Sequence, residues 1–215
     1  MARLTQTERK ERTRAHLIAT AHKAFLEHGF HGASLDEIAE EAGYSKGAVY
    51  SNFAGKDDLF LAVLDAYAER RARALADAIF DEERIEDSFR AVARSIVAAD
   101  EGEPRWTPLV LEFWAHASRR PALRAEVAAR RERFFTIVAG LIEELAARHG
   151  ARLKIPAKEA ARGSSALARG IALDRLLAPE SVSSDLFEQM HIAYCNGLTE
   201  FAEDGRPTRK DTIAR

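Results

Sequence analysis

The chain has 215 residues, 47% of them hydrophobic and 31% charged, with a formal net charge of −2. That length admits one large domain or two small ones, and the balance of charge excludes a chain that coats nucleic acid non-specifically while leaving room for a local basic face. A lone cysteine, Cys195, excludes a disulfide framework or a cysteine-based metal site and fits a reducing, cytoplasmic setting; no apolar run approaches the ~18 residues that span a bilayer, and the polar, basic N-terminus lacks the apolar stretch of a secretory signal.

The periodicity is helical nearly throughout. Residues 1–14 set Arg3, Arg9, Lys10, Arg12 and Arg14 against Glu8 and Glu11, a local excess of positive charge. Leu17, Ala21, Ala24 and Phe25 then form a buried stripe at i, i+4, i+7, i+8, which predicts a first helix from about Thr7 to His28. Gly29 stands where a left-handed C-terminal cap ends it. Ser34-Leu35-Asp36-Glu37 has the spacing of a capping box, in which the Ser34 hydroxyl accepts from the Glu37 amide and Glu37 reaches back, and Gly43 ends that second helix. Ser45 is placed to cap a third helix of about Lys46 to Asn52. A long fourth helix starts near Lys56, with Asp57 and Asp58 complementing its N-terminal dipole.

Two short helices joined by a tight turn are the build of a helix-turn-helix DNA reader. A major groove admits one α-helix, and a second helix must hold that helix out from the body. Ala39, Ala42 and Gly43 are small enough for a close crossing, and Leu35, Ile38, Val49 and Phe53 are spaced to bury against the first helix. Lys46, Gly47, Tyr50 and Ser51 then fall on the outward side. Lys46 suits guanine or phosphate, Gly47 lets backbone approach base edges, and the Tyr50 hydroxyl and Lys56 ammonium suit phosphate oxygens, which fix register rather than sequence. The competing reading is a solvated face on an ordinary helical hairpin.

The stretch Gly29-Phe30 followed by SLDEIAEEAGYSKGAVYSNFAGKDDLF resembles the N-terminal domain of the TetR family of transcriptional repressors. The likeness covers about Thr7 to Leu64 and includes the turn, the recognition helix and the Tyr-x-x-Phe-x-x-Lys spacing. It implies an all-α homodimer in which three helices bind double-stranded operator DNA and a larger helical domain dimerises and binds a small effector. By position it implies DNA contacts at Lys46, Gly47, Tyr50 and Lys56, with Ser45 capping the helix or touching phosphate. Tyr44 stands where Val is more usual and adds a candidate phosphate contact; Ala48 replaces Thr or Ser, Asn52 replaces His, and Gly55 replaces a better helix cap.

Further helices are predicted at about Glu82–Ala99, Arg105–Ala117, Ala122–His149, Ala157–Leu177 and Val182–Glu203, with Pro104, Pro121, Pro156 and Pro179 at their starts or in the gaps. Trp106, Phe113, His116, Phe134 and Tyr194 are candidates to line an apolar ligand pocket with a few placed polar groups, or are ordinary core. Small residues Gly163, Ser164, Ala166 and Gly170 on one helix, and Met190, Ala193, Tyr194, Gly197 and Leu198 on the last, resemble the family's dimer-forming pair. The basic run Arg119 to Arg133 reads as a solvated helix face. No GxxxxGK phosphate loop, paired catalytic carboxylates or metal-ligand set is present, so neither an enzyme nor a cofactor is expected.

The expected organisation is a DNA-binding domain at residues 1–54, an effector-binding and dimerisation domain at 55–204, and a tail at 205–215 without apolar periodicity. The expected function is a dimeric repressor released from a palindromic operator by an apolar or aromatic ligand. The alternative is a helical protein–protein interaction module without an effector.

Overall fold

The computed structural model of the protein describes residues 5–201. The tail at 205–215, with Arg206, Arg209 and Lys210, and Arg3 at the other end lie outside the described residues. Within them the chain is all-α: α1 (Gln6–Gly32), α2 (Leu35–Glu41), α3 (Lys46–Tyr50), α4 (Lys56–Phe80), α5 (Ile85–Gly102), α6 (Trp106–Ser118), α7 (Pro121–Arg148), α8 (Ala157–Leu177) and α9 (Leu186–Leu198). Two three-residue strands, β1 (Ala151–Leu153) and β2 (Thr199–Phe201), pair antiparallel with Arg152 opposite Glu200. No described helix is long and apolar enough to cross a membrane.

Several local signals act as expected and two do not. The reciprocal capping box forms at Thr5 rather than Ser34: the Thr5 hydroxyl accepts from the Glu8 amide at 3.2 Å while the Thr5 amide donates to the Glu8 carboxylate at 2.7 Å. The Thr5 hydroxyl also donates to the same carboxylate at 2.9 Å, and the Thr5 amide first and this hydroxyl second hold the Glu8 carboxyl below its usual range. Ser34 instead accepts from the Asp36 amide at 3.2 Å, which caps α2 without Glu37. The last helix is shorter than its apolar pattern predicts, because Thr199–Phe201 leaves the helix to pair with β1.

Gly29 has φ +73° and interrupts α1. Only a residue without a Cβ takes that conformation cheaply, and here there is no space for one: a Cβ would lie 2.9 Å from a Glu112 oxygen on α6. Glu112 accepts the Phe30 and His31 amides at 3.0 and 2.9 Å, so α6 clamps the break in α1.

The core of the N-terminal head does not stop at residue 54. Phe25, Phe30, Phe60 and Phe113 form one fully buried aromatic cluster, with the Phe113 ring 4.3 Å from Phe60 and 4.9 Å from Phe30. The 27-residue α1 with the two short helices α2 and α3 buries too little apolar surface to stand alone, and α4 and α6 supply the rest.

Candidate nucleic-acid interface and ligand cavity

The turn between α2 and α3 is fixed by backbone bonds. The Gly43 amide donates to Glu40 and the Tyr44 amide to Ala39, with Gly43 at φ +72°, the pattern of a Schellman cap. Ser45 then caps α3 through its hydroxyl, which accepts from the Ala48 amide at 3.2 Å. Val49 and Phe53 are buried beneath α3, and Ser45, Lys46, Gly47, Tyr50 and Ser51 are exposed above it. Tyr50 is 58% exposed, an unusual position for an aromatic ring that makes no core contact.

The outward groups differ in how free they are. The Lys46 ammonium lies 2.6 Å from the Asp36 carboxylate, and that bond raises its pKa. Ser51 donates to the Ala48 carbonyl at 2.9 Å, and Asn52 donates to the same carbonyl at 2.8 Å. Tyr44 is half-buried against the core, edge-on to His16 at 5.7 Å. Lys56 points inward: its ammonium donates to the His31 and Ala33 carbonyls at 3.1 and 3.0 Å and sits 5.0 Å from the Phe30 ring centroid. In this conformation it ties the α1–α2 connection to the start of α4.

A cavity of about 360 Å³ runs through the larger helical part between α4, α5, α6, α7, α8 and α9. Its wall is mostly apolar, including Ile79, Phe89, Ile96, Val138, Ile142 and Leu145. Of the five candidate pocket residues, Trp106, Phe134 and Tyr194 line this cavity; Phe113 and His116 do not. Those two are on the opposite face of α6. Phe113 completes the head's aromatic cluster, and His116 Nε2 lies 3.0 Å from Asp57 at the start of α4, with Arg120 on the other oxygen of the same carboxylate at 2.9 Å. The helical period explains the split: positions 106, 107, 110, 111 and 114 face the cavity and 112, 113 and 116 face the head.

Sequence alone does not single out the cavity's arginines, and two of them, Arg130 and Arg131, fall in the run read as a solvated face. Arg130 and Arg131 both reach the cavity wall, with Arg71, Arg169 and Arg175 from α4 and α8. Tyr67 stacks on Trp106 at 3.9 Å, and burial pushes its hydroxyl up to about 12. Tyr194 donates to the Ala160 carbonyl at 3.0 Å across Gly163, where a Cβ would lie 2.0 Å from the phenol oxygen.

Residues 17–63 match the tetR family of bacterial regulatory proteins, and residues 85–200 match the C-terminal region of BetI-type transcriptional repressors. The chain belongs to the TetR family of transcriptional regulators. Two curated HTH-type regulators resemble part of it. The transcriptional activator FasR of Mycolicibacterium smegmatis is 34% identical over 70 residues, 33% of this chain and 32% of that protein. The transcriptional repressor AcnR of Corynebacterium diphtheriae is 36% identical over 64 residues, 30% of this chain and 34% of that protein. The chain thus spans about a third of the length of these curated relatives. A solved transcriptional regulator from Pseudomonas aeruginosa PAO1 is similar over nearly its full length, with a TM-score of 0.67 and 27% identity over 91% of this chain and 92% of the other. The matched families and relatives are transcription regulators, not enzymes.

Proposed function

We propose that the protein is a dimeric repressor that binds a palindromic operator through α3 and releases it when a small, largely apolar effector fills the cavity. The observation that carries this reading is α6, a single helix with one face in the cavity wall and the other in the DNA-binding head. Trp106 and Trp114 face the cavity, while Glu112 holds the Gly29 break of α1 and His116 and Arg120 hold Asp57 at the start of α4. An effector that displaces the tryptophans shifts the helix that positions α1 and α4 together. It changes operator affinity only by its differential affinity for the two head positions.

The dimer reading rests on the outer face of α8 and α9. Ala166, Gly170, Ala193 and Gly197 are exposed small residues beside exposed Leu177 and Met190, and such a patch suits a two-fold helix pair. Two copies of α3 would then meet half-sites about 34–36 Å apart or at a multiple of that spacing. The match to a repressor family favours repression over activation. In the domain division that follows, residues 1–54 read DNA and residues 55–204 sense and dimerise, in the cytoplasm. Lys46, Gly47 and Tyr50 are the proposed base and phosphate contacts, flanked by Tyr44, Ser45 and Ser51. Lys56 joins them only by leaving its two carbonyls.

The test is a footprint on the DNA flanking the protein's own gene, at controlled salt, with sedimentation of the same sample. A symmetric footprint by a dimer is the expected result. A monomer that leaves no footprint at low salt overturns the reading and favours a helical protein–protein interaction module.

A further inference from the structure

Four of the five arginines in the cavity wall have no carboxylate within 4.0 Å among the described residues; Arg71 and Arg175 bond backbone carbonyls instead, and Arg131 and Arg169 do not. Arg131 on α7 and Arg169 on α8 both pack on Trp114, at 4.3 and 5.2 Å from guanidinium carbon to ring centroid. Among the described residues, no carboxylate oxygen lies within 4.0 Å of either. Arg169 donates to the Ser165 hydroxyl at 2.8 Å and has no other side-chain partner there. The adjacent carboxylate, Glu132, is held by Arg162 and by Lys158. The remaining arginines of the wall are occupied: Arg130 by Asp65 and Glu126, Arg71 by the Ser95 carbonyl, and Arg175 by the Ser183 and Ser184 carbonyls.

Half-buried guanidiniums without a carboxylate are costly, because desolvation is not offset by a partner. Burial lowers both pKa values, and a neighbouring arginine lowers each further, Arg162 beside Arg131 and Arg131 beside Arg169; the charge of Glu132 opposes this only at Arg131 and by less, and Arg169 comes down to about 10 and stays charged at neutral pH. Stacking on Trp114 compensates in part, and it also covers the aromatic face that a cationic ligand would need. Five arginines and two aspartates line the cavity, one of them Asp65, already paired with Arg130. Beside Trp114 a cation meets neither a free carboxylate nor a free indole face; the other aspartate, Asp100, lies on the α5–α6 side and accepts from the Thr107 hydroxyl at 3.3 Å.

We propose that the cavity takes an amphiphilic carboxylate, its head group held by Arg131 and Arg169 beside Trp114 and Ser165, and its apolar body extending along Phe134, Val138, Ile142 and Leu145. The proposal deepens the effector reading and rests on it. Guanidinium–carboxylate pairs are the strong form of hydrogen bond, so the head group fixes the orientation and the apolar wall supplies the affinity.

The test uses the full chain and three probes of one chain length below their micellar concentrations: dodecanoate, dodecanol and dodecyltrimethylammonium, by titration calorimetry. Dodecanoate is expected to bind about tenfold tighter than dodecanol, with the ammonium weakest. In the Arg131→Met, Arg169→Met double variant that preference collapses while dodecanol binding persists, which shows the cavity is still folded. Arg169→Lys keeps part of the preference. Equal binding of dodecanol and dodecanoate, or dodecanoate binding undiminished in the double variant, overturns the carboxylate site, as does a cavity that binds none of the three. Operator release is read separately by anisotropy. Dodecanoate that binds through the two arginines yet leaves the operator bound sinks the effector reading and leaves the anion site standing.

Discussion

The proposed contact of Lys46 with DNA requires it to give up Asp36, whose carboxylate it already touches at 2.6 Å. An exposed pair of this kind exchanges readily in water, so the exchange is cheap and salt-dependent. Lys46→Ala is expected to weaken operator binding and to reduce the slope of log affinity against log salt by about 0.9 if the lysine contacts one phosphate. Tyr50→Phe is expected to weaken binding with helicity and dimerisation intact, since the ring is exposed. Salt-controlled titrations that show neither variant affected remove α3 from the interface. Gly29 is a residue of the opposite kind, fixed from both sides by φ +73° and by Glu112. Gly29→Ala is expected to cost roughly 1–3 kcal/mol of stability, read as a lower denaturation midpoint. These two cases also divide what sequence makes legible. The glycine announced itself, because a helix stripe stopped at it; its partner Glu112, 83 positions later, carries no local signal.

At the scale of the element, patterns of side-chain spacing gave the helices but not their partners. Thr5-x-x-Glu8 and Ser34-x-x-Glu37 have the same capping spacing, yet only the first closes reciprocally. Phe113 and His116 are aromatic-helix residues as suggestive of a pocket as Trp106, and only the direction of α6 between its two neighbours separates them. The basic run of α7 concealed Arg131 because exposed and cavity-facing arginines look alike in sequence. On α9, His191 is 3% exposed, and burial takes its pKa from 6.5 down to about 4, against a smaller opposing bond to the Phe89 backbone. The folded pKa is the lower one, so the unfolded chain binds the proton first. The contribution is fully present above pH 6.5 and is lost as pH falls toward about 4. The loss amounts to about 3 kcal/mol across that window. His191→Phe is expected to flatten the pH dependence of the melting temperature there; an unchanged profile excludes His191 as its source. The α8–α9 contact makes a second element-level prediction. Gly163→Ala drives Tyr194 off the Ala160 carbonyl, lowering the melting temperature, and Tyr194→Ala in the same chain restores most of the loss because it removes the clashing ring.

Across the described residues, the head and the larger helical part share one hydrophobic cluster that runs from Leu17 through Phe60 to Phe113 and Val127. A signal from the proposed effector would therefore have no flexible linker to cross; it would pass through packed side chains that hold discrete positions, which favours two states over a graded response. Glu112→Gln is expected to leave effector binding unchanged while reducing the ratio of operator affinities with and without effector, because an amide offers one acceptor oxygen where the carboxylate offers two. A variant that retains the full ratio shows that α4, not the α6 clamp, carries the signal.

The clamp on Gly29 also gives the protein a built-in reporter. The amide hydrogens of Phe30 and His31 point at a carboxylate that belongs to the sensing helix, not to their own helix. Their exchange with deuterated solvent therefore times how often α6 lets go of the head. If the proposed effector moves α6, occupancy of the distant cavity becomes countable at two backbone positions, without DNA in the tube.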